Sequence, residues 1–225
     1  MPRVIRTDIG NYVYHILNRA NARVRIFDND KDYQLFETIL EQAKEKFDMR
    51  ILSYTIMPNH WHLVLYPNKD GDLSKFVGWV TNTHTRRWHT MKKTIGQGHL
   101  YQGRYKSFIC QQDDNSFLSL VRYVERNALK ANLVKKAENW KRGSTWRRKF
   151  GTTKQKRLLS DWTVSEPEEY LNWLNKPQEK EVEEIIENSI QRSSPYGKDD
   201  WKNRILKKFK LESTVRSVGR PKNGG

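Results

Sequence analysis

The stretch from Met49 to Tyr66 (MRILSYTIM, PN, HWHLVLY) constrains the fold more than any other part of the sequence. Two apolar, β-prone runs are separated only by Pro58-Asn59, a turn-forming pair, so they read as an antiparallel hairpin. Asn11 to Leu17 (NYVYHIL) alternates as an earlier strand, and Tyr105 to Gln111 reads as a later one. Phe36, Ile39, Leu40, Ala43 and Phe47 recur at helical spacing after a cap at Asp28 or Asp30. A second helix starts at Asp72 and carries Leu73, Phe76, Val77 and Val80. A third, capped by Asp113, Asp114 or Ser116, aligns Phe117, Leu120, Val121, Val124 and Ala128 on one stripe. The order strand, helix, two strands, helix, strand, helix predicts an α+β fold, with helices packed on one face of an antiparallel or mixed sheet.

With 225 residues the chain has room for one catalytic-size domain and an appendage. Residues 1–135 hold the strands and helices above. Residues 136–197 form a Trp-rich basic and then acidic helical extension, with short helices expected in PEEYLNWL and QEKEVEEIIENSI. Residues 198–225 hold a basic amphipathic helix, with Trp201, Ile205, Leu206 and Phe209 on one side, and a flexible tail. No apolar run is long enough to span a membrane, and a single cysteine, Cys110, cannot form an internal disulfide. A cytoplasmic protein with no membrane partner is expected.

The net charge of +16 is concentrated. Residues 86–157 carry 19 Lys and Arg against 4 acids, whereas residues 1–85 carry 11 against 10 and residues 158–197 carry 3 against 9. Interleaved with Trp88, Tyr101, Tyr105, Trp140 and Trp146, the basic block reads as a polyanion track with stacking platforms. Arg104, Lys106, Arg147 and Arg148 are its candidate nucleic-acid contacts. Arg19, Arg23 and Arg25, beside Asn18 and Asn21, form a second candidate in the loop after the first strand, expected near a sheet edge. Arg220, in Gly219-Arg220-Pro221, resembles a minor-groove hook.

Two constellations can carry chemistry. His60 and His62 alternate on a strand, so both imidazoles share one face while Trp61, Leu63 and Leu65 share the other, a plausible pair of metal ligands. Tyr123 and Asn127 stand one helical turn apart beside the apolar stripe, with Arg122 and Arg126 as a basic ridge suited to phosphate. An HxH pair also arises by chance, and a tyrosine at a core edge ordinarily only satisfies its own hydroxyl. By themselves the residues leave both readings open.

Three runs taken together, MPNHWHLVL (57–65), YQGRYKS (101–107) and RYVERNALKANLV (122–134), resemble the REP-associated tyrosine transposases of the HUH superfamily of single-tyrosine transposases. The resemblance implies a ferredoxin-like antiparallel sheet with a tyrosine-bearing helix docked beside it. It implies that Tyr123 is the nucleophile, and that His60, His62 and Asn127 hold Mg(II) or Mn(II). The implied substrate is palindromic hairpin DNA with a single-stranded tag, cut and rejoined through a 5′-phosphotyrosine, with no small-molecule substrate and a monomer or homodimer as the working unit. Ala128 departs from the pattern, since the family usually has proline there. Two rival readings are a domesticated DNA-binding regulator without turnover and an RNA-hairpin binder.

Overall fold

The computed structural model describes residues 7–216, so Arg220 lies outside the described residues. Four strands, β1 (Val13–Arg19), β2 (Met49–Met57), β3 (His60–Pro67) and β4 (Lys106–Cys110), make one antiparallel sheet in the order β2-β3-β1-β4. Between them run α1 (Asp30–Lys46) and α2 (Asp72–Lys92), giving a βαββαβ ferredoxin-like topology. After β4 come α3 (Asp114–Glu125), α4 (Asn127–Lys130), α5 (Ser144–Phe150), α6 (Thr153–Lys156), α7 (Tyr170–Asn175), α8 (Lys180–Arg192) and α9 (Asp199–Lys208). The N-cap of α1 is Asn29, between the two aspartates the sequence offered, and its capping box pairs it with Asp32. Asp113 caps α3.

Helices cover both faces of the sheet, and the single-face expectation is corrected. Tyr14, Ile16, Tyr54, Ile56, Trp61, Leu63 and Leu65 form one buried layer with Phe36, Ile39 and Leu40 of α1 and Phe76, Val77 and Val80 of α2. Val13, Leu17, Leu52, Val64, Phe108 and Cys110 form a second with Phe117, Leu120, Val121 and Val124 of α3 and with Tyr170, Leu174, Ile186 and Ile190 of α7 and α8. The physical reason is that strand positions of both parities are apolar, so neither face can be left to water. Val13 and Leu17 on β1, and Phe108 and Cys110 on β4, demand a cover that α1 and α2 cannot reach.

The last part of the chain returns to the sheet. The amide of Tyr196 donates to the Ile109 carbonyl and its own carbonyl accepts from Gln111, extending the β4 edge by one bridge. From there Ile205 and Leu206 of α9, with Leu211, enter the buried layer under α1 and α2. No helix among the described residues is long and apolar enough to cross a membrane.

Candidate active site

Strand register assembles the floor of the site. Leu17 stands opposite both His62 on β3 and Lys106 on β4, and Arg19 stands opposite His60. Residues directly opposite share a face, so Arg19, His60, His62 and Lys106 all point toward the α3 side. The stripe of α3 docks on that face and brings Tyr123 and Asn127, just off the stripe, over the two histidines. The Tyr123 and His62 ring centroids lie 6.0 Å apart, those of His60 and His62 5.1 Å apart. A cleft of about 630 Å³ results, lined by His60, His62, Tyr123, Asn127, Lys130 and Arg19 among others.

The side walls come from two places. In the loop before β4, the Tyr101 hydroxyl accepts from the Trp61 indole N–H (2.9 Å) and donates to Nδ1 of His84 (2.6 Å). That buried bond pins Gln102, Gly103 and Arg104 at the cleft mouth, where the Gln102 amide donates to the Arg19 carbonyl. Opposite, α8 contributes Glu187, Ile190 and Gln191. Lys130 bridges Glu183 (2.8 Å) and Glu187 (3.2 Å) of α8 while its ammonium sits 5.8 Å from the Tyr123 ring centroid.

Sequence reasoning passed over His15. It faces the same side as His62, fully buried, and its Nε2 lies 2.8 Å from His62 Nδ1, so one ring donates to the other. The only signal was parity with Val13 and Leu17, and the register against β3 is what turns that parity into a contact.

Hydrogen bonds constrain the protonation of the other rings. Asn59 Nδ2 donates to the Arg23 carbonyl (3.1 Å), which leaves its Oδ1 facing His60 Nδ1 at 2.6 Å. An amide oxygen only accepts, so a proton on His60 Nδ1 satisfies this contact and leaves Nε2 free to act as a lone-pair donor. Asn127 gives its Nδ2 to the Tyr123 carbonyl (3.0 Å) and is hydrogen-bonded to the His60 ring. Burial, with Arg19 nearby, lowers His60 to about 4, and burial, with His15, His60 and Arg19, holds His62 well below its usual value. Both rings are therefore neutral at pH 7. Neutral imidazoles beside an amide are groups of the kind that divalent cations take as ligands. Among the described residues no three His, Cys, Asp or Glu side chains are arranged to hold an ion. Burial, Glu187 and Glu183 push the Tyr123 phenol above its usual range, against a lowering by Arg19.

Residues 8–127 match the family described as IS200-like transposase, more than half of the chain. The chain belongs to the IS200-like transposase family. A solved structure of a REP-associated tyrosine transposase bound to a REP hairpin shares the fold, with a TM-score of 0.56 at 18% identity over 73% of this chain and 93% of that one. A putative transposase from Deinococcus radiodurans gives a TM-score of 0.40 at 17% identity over 56% of this chain and 97% of that one. No curated protein sequence matches.

Other expected contacts of this transposase sit elsewhere than the sequence suggested. Arg122 and Arg126 are buried: Arg122 donates to the carbonyls of Lys176 and Pro177 and lies over the Trp173 ring, and Arg126 donates to the Leu174 carbonyl. They cap the C-terminal end of α7, where carbonyls lack helical partners, and make no phosphate ridge. Arg147 is buried between Glu37 and Glu41, and Arg148 donates to the carbonyls of Leu52 and Ser160. Tyr101 and Tyr105 are buried, while the Trp88 and Trp140 indoles donate to the Ile26 and Ile56 carbonyls. These four aromatics are packing groups, and not stacking platforms. Arg104 and Lys106, both exposed, and half-buried Arg19 line the cleft, while Arg23 and Arg25 are exposed outside its lining and Arg25 pairs with Asp28 (3.6 Å). The Arg19–Arg25 loop leaves an inner strand, not a sheet edge, and wraps the Pro58-Asn59 turn.

Proposed function

We propose that this transposase cuts and rejoins single DNA strands at the foot of a hairpin, with Tyr123 as nucleophile. The observation that carries the reading is the convergence of the Tyr123 ring, two neutral imidazoles and the Asn127 amide in one cleft rimmed by Arg19, Arg104 and Lys106. His60, His62 and Asn127 would hold a divalent cation, Mg(II) or Mn(II), and its chemistry there is to polarise the phosphoryl group and neutralise charge in the transition state.

The chain's own groups do the rest. The Tyr123 oxygen attacks phosphorus, the bond to the 3′ oxygen breaks, and the phenolic proton is lost as the 3′ oxygen gains one. The products are a 5′-phosphotyrosine and a free 3′-hydroxyl, and the reverse attack rejoins a strand. A phenol raised by burial and by Glu187 and Glu183 resists ionisation, and Arg19 works against that rise. Arg19, Arg23 and Arg25 grip the single-stranded tag, and Arg104 and Lys106 the adjoining backbone.

Tyr123→Phe is the direct test. It should abolish the covalent protein–DNA adduct on a suicide strand while hairpin affinity stays within about threefold, because the phenol adds little to phosphate grip. A persisting adduct would refute the nucleophile assignment.

A further inference from the structure

We propose that Asn59 is a positioning residue that lets the Arg19–Arg25 loop set which nitrogen His60 offers to the cleft. This deepens the reading above and rests on it. The loop and the turn are joined at the backbone: Ala20 donates to the Asn59 carbonyl (2.8 Å), and Ile26 and Phe27 both donate to the Pro58 carbonyl. The side chain adds the decisive bonds. A main-chain carbonyl cannot donate, so Arg23 dictates which end of the Asn59 amide it meets. The amide oxygen is thereby turned to His60 Nδ1 at 2.6 Å, an arrangement that favours the ring proton on that nitrogen. One backbone carbonyl in an exposed loop thus biases a tautomer in the cleft, the kind of outer support that orients metal-binding imidazoles.

The loop pays a conformational cost for the arrangement. Ala22 and Arg23 are consecutive non-glycine residues with positive φ, 50° and 57°, and both are exposed. Left-handed backbone at such residues costs about 1 kcal/mol or more each, so it persists only where neighbouring bonds hold it. The Arg23 carbonyl is held by Asn59. A strand bound by Arg19, Arg23 and Arg25 favours or disfavours this conformation, and the Asn59 amide carries that preference one residue on to His60.

Two substitutions separate the arms. Asn59→Asp keeps an acceptor for His60 Nδ1 and removes the donor to Arg23, whereas Asn59→Ala removes both. Long-range ¹H–¹⁵N spectra of the imidazoles in the full chain report the His60 tautomer. Mn(II) titration followed by electron paramagnetic resonance reports the cation site, and anisotropy on hairpins with native or scrambled tags reports discrimination. Asn59→Asp should keep the Nδ1–H tautomer and Mn(II) affinity within threefold while losing most tag discrimination. Asn59→Ala should show mixed tautomers and Mn(II) affinity about 10- to 100-fold weaker. Wild-type tautomer and Mn(II) affinity in Asn59→Ala, or full tag discrimination in Asn59→Asp, would overturn the coupling while leaving the cleft assignment standing. A wild-type chain that takes up no Mn(II) would bring down the cation reading itself, and the coupling with it. If Asn59→Ala does not fold, Asn59→Ser, whose short hydroxyl reaches neither partner in the same geometry, supplies the same comparison.

Discussion

His62 is shared between the cleft and the interior, and its neighbours set the consequences of changing it. Its Nδ1 partner, His15, is buried and would lose this contact. His62→Ala should therefore destabilise the fold by about 1–3 kcal/mol in urea unfolding, and His60→Ala, whose ring is half-buried, by less. Both should lose Mg(II)-dependent cleavage, and chelation should silence the wild type; normal cleavage in either variant, or activity in excess chelator, removes the cation from the mechanism. Acid should act through the same rings. Burial lowers His15 and His84 from 6.5 to about 3 and His60 to about 4. The unfolded chain gains protons below about 6.5 that the folded chain refuses, so stability is full above that pH and falls as pH drops toward 4 and then 3. A urea midpoint unchanged between about pH 7 and pH 5 would contradict this. The parity of His60 and His62 was legible in HWH alone, because a pleat has period two. His15 was not, since NYVYHIL states its face but not its neighbour across the sheet.

α3 carries three kinds of face. Phe117, Leu120, Val121 and Val124 meet the sheet, Tyr123 meets the cleft together with Asn127 at the start of α4, and Arg122 and Glu125, with Arg126 just past the helix end, meet the later helices. Glu125 is the strongest of the last ties: its carboxylate, 3% exposed, accepts from Ser53 (3.0 Å), Ser144 (2.6 Å), Thr145 (2.6 Å) and Tyr170 (2.7 Å). One side chain thus joins the tyrosine helix to β2, α5 and α7. Glu125→Ala should cost on the order of 3 kcal/mol, and Glu125→Gln nearer 1, because the hydroxyls can turn to meet an amide. Denaturant midpoints equal to wild type in both would show that the network holds nothing. The sequence displayed the apolar stripe of α3 plainly. It could not show what covers the polar side: Arg122 and Arg126 read as a ridge open to solvent because nothing in their spacing says that residues 170–178 fold back over them.

At the scale of the whole molecule, four cations of the basic block pair with the chain's own acids. Arg142 pairs with Asp30 and Glu37, Arg147 with Glu37 and Glu41, Lys92 with Asp32, and Lys130 with Glu183 and Glu187. A count of charges along the sequence sees the excess and not the pairing. The amphipathic stripe of α9 was legible, but its berth was not: Ile205, Leu206 and Leu211 are buried beneath α1 and α2, and the Tyr12 and Phe209 rings meet edge to face. Truncation before Lys198 gives up burial worth about 1.5–3 kcal/mol for each such side chain, so Tm should fall by at least about 5 °C. Metal-dependent cleavage of a single-stranded substrate should survive below the new Tm, and its complete loss in a folded truncated chain would mean that the site extends into α9. The pleat of β3 also sets how such a protein can vary by descent. One residue inserted or deleted between Met57 and Tyr66 would turn Trp61 and Leu63 into the cleft and both imidazoles into the core, ruining two structures with one event. A change of two residues would restore the faces but slide the pair past Leu17 and Arg19. Lineages of this chain can therefore rewrite the letters of that strand but not its length, while their indels gather in segments such as 94–99, where no pleat is counting.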